Sequence, residues 1–111
     1  MRLLLVETAP SSQRNSRLTA GLGYIASYVR HHIPDVVVQI IKGDPDWVRE
    51  NVADFRPDIV GISTVSQYYP MAVRIADLCH ERGAFVVIGG HHLSALPESM
   101  MRLTMRAIFA A

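Results

Sequence analysis

Ser63-Thr64-Val65-Ser66-Gln67 sets four hydroxyl or amide side chains directly behind the uninterrupted apolar run Ile59-Val60-Gly61-Ile62. A parallel sheet opens its ligand crevice at such a place, outside the carboxyl ends of its strands. A second group, Gly89-Gly90-His91-His92, follows the apolar run Ala84 to Ile88, and two adjacent glycines at a strand end mean that backbone must approach something closely. A third, Thr8-Ala9-Pro10-Ser11-Ser12, follows the apolar start Arg2 to Val6. Polar ligand binding at strand ends is the chemistry these groups share.

Other chemically capable residues have simpler readings. His91 and His92 are adjacent in a loop, point in different directions and have no third ligand nearby in sequence, so hydrogen bonding by imidazole is favoured over metal ligation. Tyr68 and Tyr69 suit either stacking on a ligand edge or covering the crevice. Glu7 reads as a solvated or capping carboxylate, Trp47 as packing, and His31, His32 and His80 as favourable partners of helix dipoles. Cys79 is alone, which excludes an internal disulfide and any cluster held by several cysteines of this chain.

The elements that position these groups alternate. Arg2 to Val6 reads as a first strand, and Leu18, Leu22, Ile25, Ala26 and Val29 recur at helical spacing, with Asn15 or Ser16 as N-cap and Pro34 as stop. Gly21 and Gly23 within that helix are read as close helix-on-sheet packing in preference to room for a ligand. Asp35 to Ile41 is a β-branched second strand. Gly43-Asp44-Pro45-Asp46 then starts a helix, with Asp44 as cap, Pro45 at its first position and Val48, Val52 and Phe55 on its buried face. Pro57 ends it and launches the central strand, Ile59 to Ile62, whose lack of polar alternation predicts cover on both faces. Pro70 opens a helix with Ala72, Ile75, Ala76 and Cys79 on one stripe, and Gly83 closes it. Ala84 to Ile88 is the fourth strand, Glu98 to Leu103 starts another helix, and Ala107 to Ala111 begins a fifth strand. Strict alternation with short connections predicts an α/β fold. The sheet is an open, doubly wound parallel one of four to five strands, Rossmann or flavodoxin-like, in order 2-1-3-4-5 with helices on both faces.

Composition sets the bounds. The 111 residues, 50% hydrophobic and 19% charged, predict one ordered domain. The formal net charge of +1 and scattered arginines offer no basic stripe for nucleic acid. No apolar run nears the ~20 residues of a membrane helix. The apolar start is too short for a signal peptide, so a cytoplasmic location is expected.

Four ligand classes suit a crevice of this kind. A phosphoacceptor receiver needs an acid at the end of the central strand, where Ser63 stands, and an acidic pair after the first strand, where only Glu7 is found. A flavin mononucleotide site finds hydroxyls in Thr8, Ser11 and Ser12 but no glycine in that loop. A dinucleotide site needs GxGxxG straight after a strand, and Gly21 and Gly23 lie too deep in the following helix. A cobalamin nucleotide tail needs small residues along a slot past the strand ends, which Ser63 and Gly89-Gly90 supply.

Asp58-Ile-Val-Gly-Ile-Ser63, the helix Ala72 to Gly83, and Val86-Val-Ile-Gly-Gly-His-His-Leu-Ser-Ala-Leu-Pro-Glu98 resemble the N-terminal cobalamin-binding domain of cobalamin-dependent radical S-adenosylmethionine enzymes. Leu22 to Arg30 is similar to that family's first helix. The resemblance runs to about Glu98, and Gly89 to Glu98 is its most specific part.

The resemblance implies a cobalamin cofactor held by Thr8, Ala9, Pro10, Ser63, Thr64, Val65, Gln67, Tyr68, Gly89, Gly90, His91 and His92. The DxHxxG motif of the mutase and methionine-synthase branch, whose histidine ligates cobalt, is absent from Glu7 to Gln13. A His-ligated cobalt is therefore not expected, and the resemblance to the radical branch implies a base-off cofactor, with Ser66, Gln67 and Tyr68 nearest its lower face. The family's CxxxCxxC motif is also absent, so the iron-sulfur cluster and S-adenosylmethionine belong to a downstream or partner radical domain. The chain reads as a fragment or truncated relative, a module for methyl transfer that is not an enzyme on its own. The alternatives are a non-catalytic remnant of the fold acting as an interaction domain and a small flavin carrier. Self-association through an exposed edge strand near residue 108 is a further expectation.

Overall fold

A computed structural model of the chain describes residues 1–13, 20–64, 66–89 and 108–110. Five strands, β1 (Arg2–Thr8), β2 (Val37–Gly43), β3 (Ile59–Ser63), β4 (Phe85–Gly89) and β5 (Ile108–Ala110), form one sheet in the order β2-β1-β3-β4-β5. Every pairing is parallel. Helices α1 (Ala20–His32), α2 (Pro45–Phe55) and α3 (Tyr69–Glu81) connect the first four strands. The predicted class and strand order are both observed.

Side-chain parity assigns the faces. Leu4, Val6, Val60, Ile62, Val86 and Ile88 point to one side, where they pack with Val48 and Val52 of α2 and Ala72, Ile75, Ala76 and Cys79 of α3. Leu3 and Leu5 point to the other, where Leu22 and Ala26 of α1 cover them beside Val38, Ile40 and Ile59. The predicted stripes of α2 and α3 are thus the buried ones. Gly23 corrects its expectation: it is exposed, and a Cβ built there meets nothing within 4 Å, so it serves no close packing on the sheet.

The expected two-sided cover of β3 is unequal. Val60 and Ile62 are fully buried on the α3 side, whereas Ile59 and Gly61 on the α1 side are half-buried. α1 packs on β1 and β2, and Phe85 of β4, on the same face, is 51% exposed.

Local signals end the elements much as expected. The Asp44 carboxylate accepts from the Trp47 amide at 3.1 Å, with Pro45 in the first turn of α2, and Arg56 closes that helix in the left-handed region at φ 53°. Gly83, at φ 86°, follows α3. The second strand begins at Val37 and extends to Gly43, because Asp35 turns the chain at φ 60°. The caps expected at Asn15 or Ser16 and the helix at Glu98 to Leu103 lie outside the described residues.

Candidate functional site at the carboxyl edge of the sheet

The parallel register lines up one terminal row across four strands: Lys42, Glu7, Ser63 and Gly89. By parity all four belong to the α1 face, in line with Ile40, Leu5, Gly61 and Val87. Side-chain bulk falls along this row, from an ion pair to a hydroxymethyl to a bare backbone. The small end lies over β3 and β4, where this face is only partly buried. Ser63 and Gly89, the two small members of the row, are both half-buried.

Glu7 corrects the sequence reading. It is buried, and its carboxylate sits 3.0 Å from the Lys42 ammonium in a pair whose side chains are 9% and 12% exposed. Strand parity was the missed signal, since Glu7 continues the inward row Leu3-Leu5 and Lys42 the row Val38-Ile40. A carboxylate on an apolar face needs a cation, and the neighbouring strand supplies one.

The opposite face ends differently. Thr8 and Thr64 are buried, and the Thr8 hydroxyl donates to Thr64 Oγ1 at 2.9 Å, with the Ser63 carbonyl at 3.4 Å. Ala9 is buried and its amide donates to the Gly43 carbonyl at 3.1 Å, while the Pro10 carbonyl accepts from the Gln13 amide in a 3-10 turn over Ser11–Gln13. Thr8, Ala9 and Pro10 thus form the first rim of the crevice.

A second 3-10 turn, Ser66–Tyr68, leads into α3 and forms the other rim. Gln67 is exposed and Tyr68 half-buried, so both reach the mouth, whereas Tyr69 is 2% exposed and packs with Leu4 and Ile75 in the core. Tyr69 is therefore a core residue and takes neither of the two expected roles, while Tyr68 remains beside the crevice. The fold brings Thr8, Ala9, Pro10, Ser63, Thr64, Gln67, Tyr68 and Gly89 to one edge, and Val65, Gly90, His91 and His92 lie outside the described residues.

Cys79 takes no part in this edge. It is fully buried on α3, and burial pushes its thiol from 9.0 up to about 12 against the smaller opposing pull of Arg82. Among the described residues no three histidine, cysteine or carboxylate side chains gather as a metal site, and no helix is long and apolar enough to cross a membrane. A cofactor seated at this edge would meet hydroxyls, an amide, a phenol and bare backbone.

These features agree with the comparisons to known proteins. A methyltransferase of unassigned specificity from Pyrococcus horikoshii, PH0819, is 31% identical over 86 residues, which cover 74% of this chain and 19% of that protein. The chain therefore spans about a fifth of the length of this relative. The model of the B12 binding domain matches residues 16–111, and with the doubly wound sheet in place, the chain belongs to the B12-binding domain family.

Proposed function

We propose that the chain is the cobalamin-carrying module of a radical S-adenosylmethionine methyltransferase. The terminal row supports this reading: Ser63 and Gly89 set the smallest side chains of the row side by side at the ends of β3 and β4, where a nucleotide tail would lie along the sheet. Gln67 and Tyr68 flank the mouth and, with Ser66, are the residues assigned to the lower face of the corrin. When bound, cobalamin supplies a cobalt-carried methyl group, and the protein's part is to hold and orient it. The stretch Glu7 to Gln13 contains no histidine to place an imidazole on cobalt, and the resemblance to the radical branch supports the base-off state. The cluster and S-adenosylmethionine would come from a downstream or partner radical domain, in keeping with the much longer methyltransferase relative. The module would act in the cytoplasm.

The test is a visible-absorption titration of the purified chain with hydroxocobalamin, followed by gel filtration. Comigrating colour with a base-off spectrum is the expected result. Colour that separates completely from a folded chain sinks the carrier reading for this polypeptide, and a strong nitrogen signature on cobalt in paramagnetic resonance sinks the base-off assignment. A yellow chain with flavin absorbance would favour the flavin carrier instead.

A further inference from the structure

The β1–β3 ladder ends at the pair Glu7 and Ser63. Just beyond it the two chains part, β1 towards α1 on one face and β3 towards α3 on the other, as happens at the switch point of a doubly wound sheet. Among the described residues, backbone bonds continue outwards from there, from the Ala9 amide to Gly43 of β2 and from the Thr64 amide to Gly89 of β4. The two departing loops are thus bonded to different outer strands. The 2.9 Å bond between the Thr8 and Thr64 hydroxyls spans the gap between them, with both residues under 8% exposed.

We infer that Thr8 and Thr64 form a positioning latch: their hydroxyl bond fixes the spacing of the two crevice loops and closes the α3 side of the mouth. The Ser63 and Gly89 side is left as the entry for a ligand tail. The latch rests on the cobalamin reading for its purpose but not for its existence. A buried hydroxyl pair in this geometry is directional, so its two ends move together, which mere filling of the core by two methyl-bearing side chains would not require. Thr8 and Thr64 then act through the loops they tie, and Ser63 and Gly89 border the ligand.

The experiment compares the intact chain with Thr64→Val, Thr8→Val, the double variant and Thr64→Ser. One readout is amide hydrogen exchange without ligand, and the other is hydroxocobalamin affinity. Thr64→Val should raise exchange about tenfold in both rims, residues 9–13 and 66–68, and weaken hydroxocobalamin about tenfold. Thr8→Val should do the same, the double variant should be no worse than either single, and Thr64→Ser should restore both readouts. Exchange that rises only at the substituted strand end, additive losses in the double variant, or a Thr64→Ser variant as impaired as Thr64→Val would each overturn the latch. If the unsubstituted chain fails to hold hydroxocobalamin, the proposed function falls, and the exchange data still decide the latch.

Discussion

Gly43 lies beneath the indole of Trp47, so close that a Cβ on Gly43 would come within 2.5 Å of Trp47 Cδ1 and 3.1 Å of its Cβ. The contact joins the end of β2 to the first turn of α2, where the Asp44 cap fixes the position of Trp47. Helix start and strand end are thus set by one glycine. Gly43→Ala should cost about 1–3 kcal/mol, the usual penalty of overpacking, read as a lower midpoint in chemical denaturation. Gly43→Ala with Trp47→Leu should regain part of that loss, and an alanine variant as stable as the parent would show that the indole has room to yield.

Lys42→Met should destabilise the fold by about 3 kcal/mol, because it removes the cation 3.0 Å from a buried carboxylate while leaving the carboxylate in place. Adding Glu7→Leu should recover part of the loss, since the charge itself then goes. Equal stability of Lys42→Met and the parent in urea unfolding would show the pair to be solvated.

The Cys79 thiol gives a stability term with a defined sign. Its native value of about 12 lies above the 9.0 of the free group, so between these values the unfolded chain loses a proton that the native chain keeps. The unfolded state is then favoured. The contribution is neutral below pH 9 and erodes stability by about 1.4 kcal/mol per pH unit above it. The stability advantage of the parent over Cys79→Ala should therefore shrink from pH 8 to pH 10.5 in paired denaturation curves. An advantage that holds constant would mean that the thiol ionises as easily in the fold as outside it. The same burial should leave native Cys79 unreactive to iodoacetamide at pH 8.

Ser63→Leu should crowd the carboxyl edge where β3 and β4 end. Ser63 is half-buried at a strand end, so the melting temperature should move little, whereas hydroxocobalamin affinity should fall more than tenfold. Undiminished binding by the leucine variant would place the tail elsewhere on the edge.

The sheet was legible because its strands are short apolar runs separated by strong punctuation, of which Asp44-Pro45, Pro57 and Gly83 each act where their chemistry predicts. The place of the polar residues at the carboxyl ends of the strands was legible too, since residues following a buried strand have a defined position in this architecture. The pairing of charges within the site was not. Glu7 and Lys42 are 35 positions apart in sequence, and only the register of β1 on β2 reveals that they share a row. Thr8 and Thr64 were recognised as crevice residues, but the bond between them depends on the β1–β3 register in the same way. Gly23 misled because helix periodicity was anchored on Leu22 and Ala26, and a glycine beside a buried leucine can point outwards.

The unequal cover of the sheet divides the molecule into parts of different mechanical strength. α2 and α3 share a continuous core with β1, β3 and β4, whereas α1 is held through Leu22, Ala26 and its partly buried Val29, with the Arg30 guanidinium tethered to the Val38 carbonyl. α1 is therefore an element of modest local stability, and a protease should meet its exposed Arg30 before the larger core on the other face loosens. A ligand lodged on the same face would add the contacts that α1 lacks, so occupancy of the crevice would be felt as a longer lifetime of the whole polypeptide.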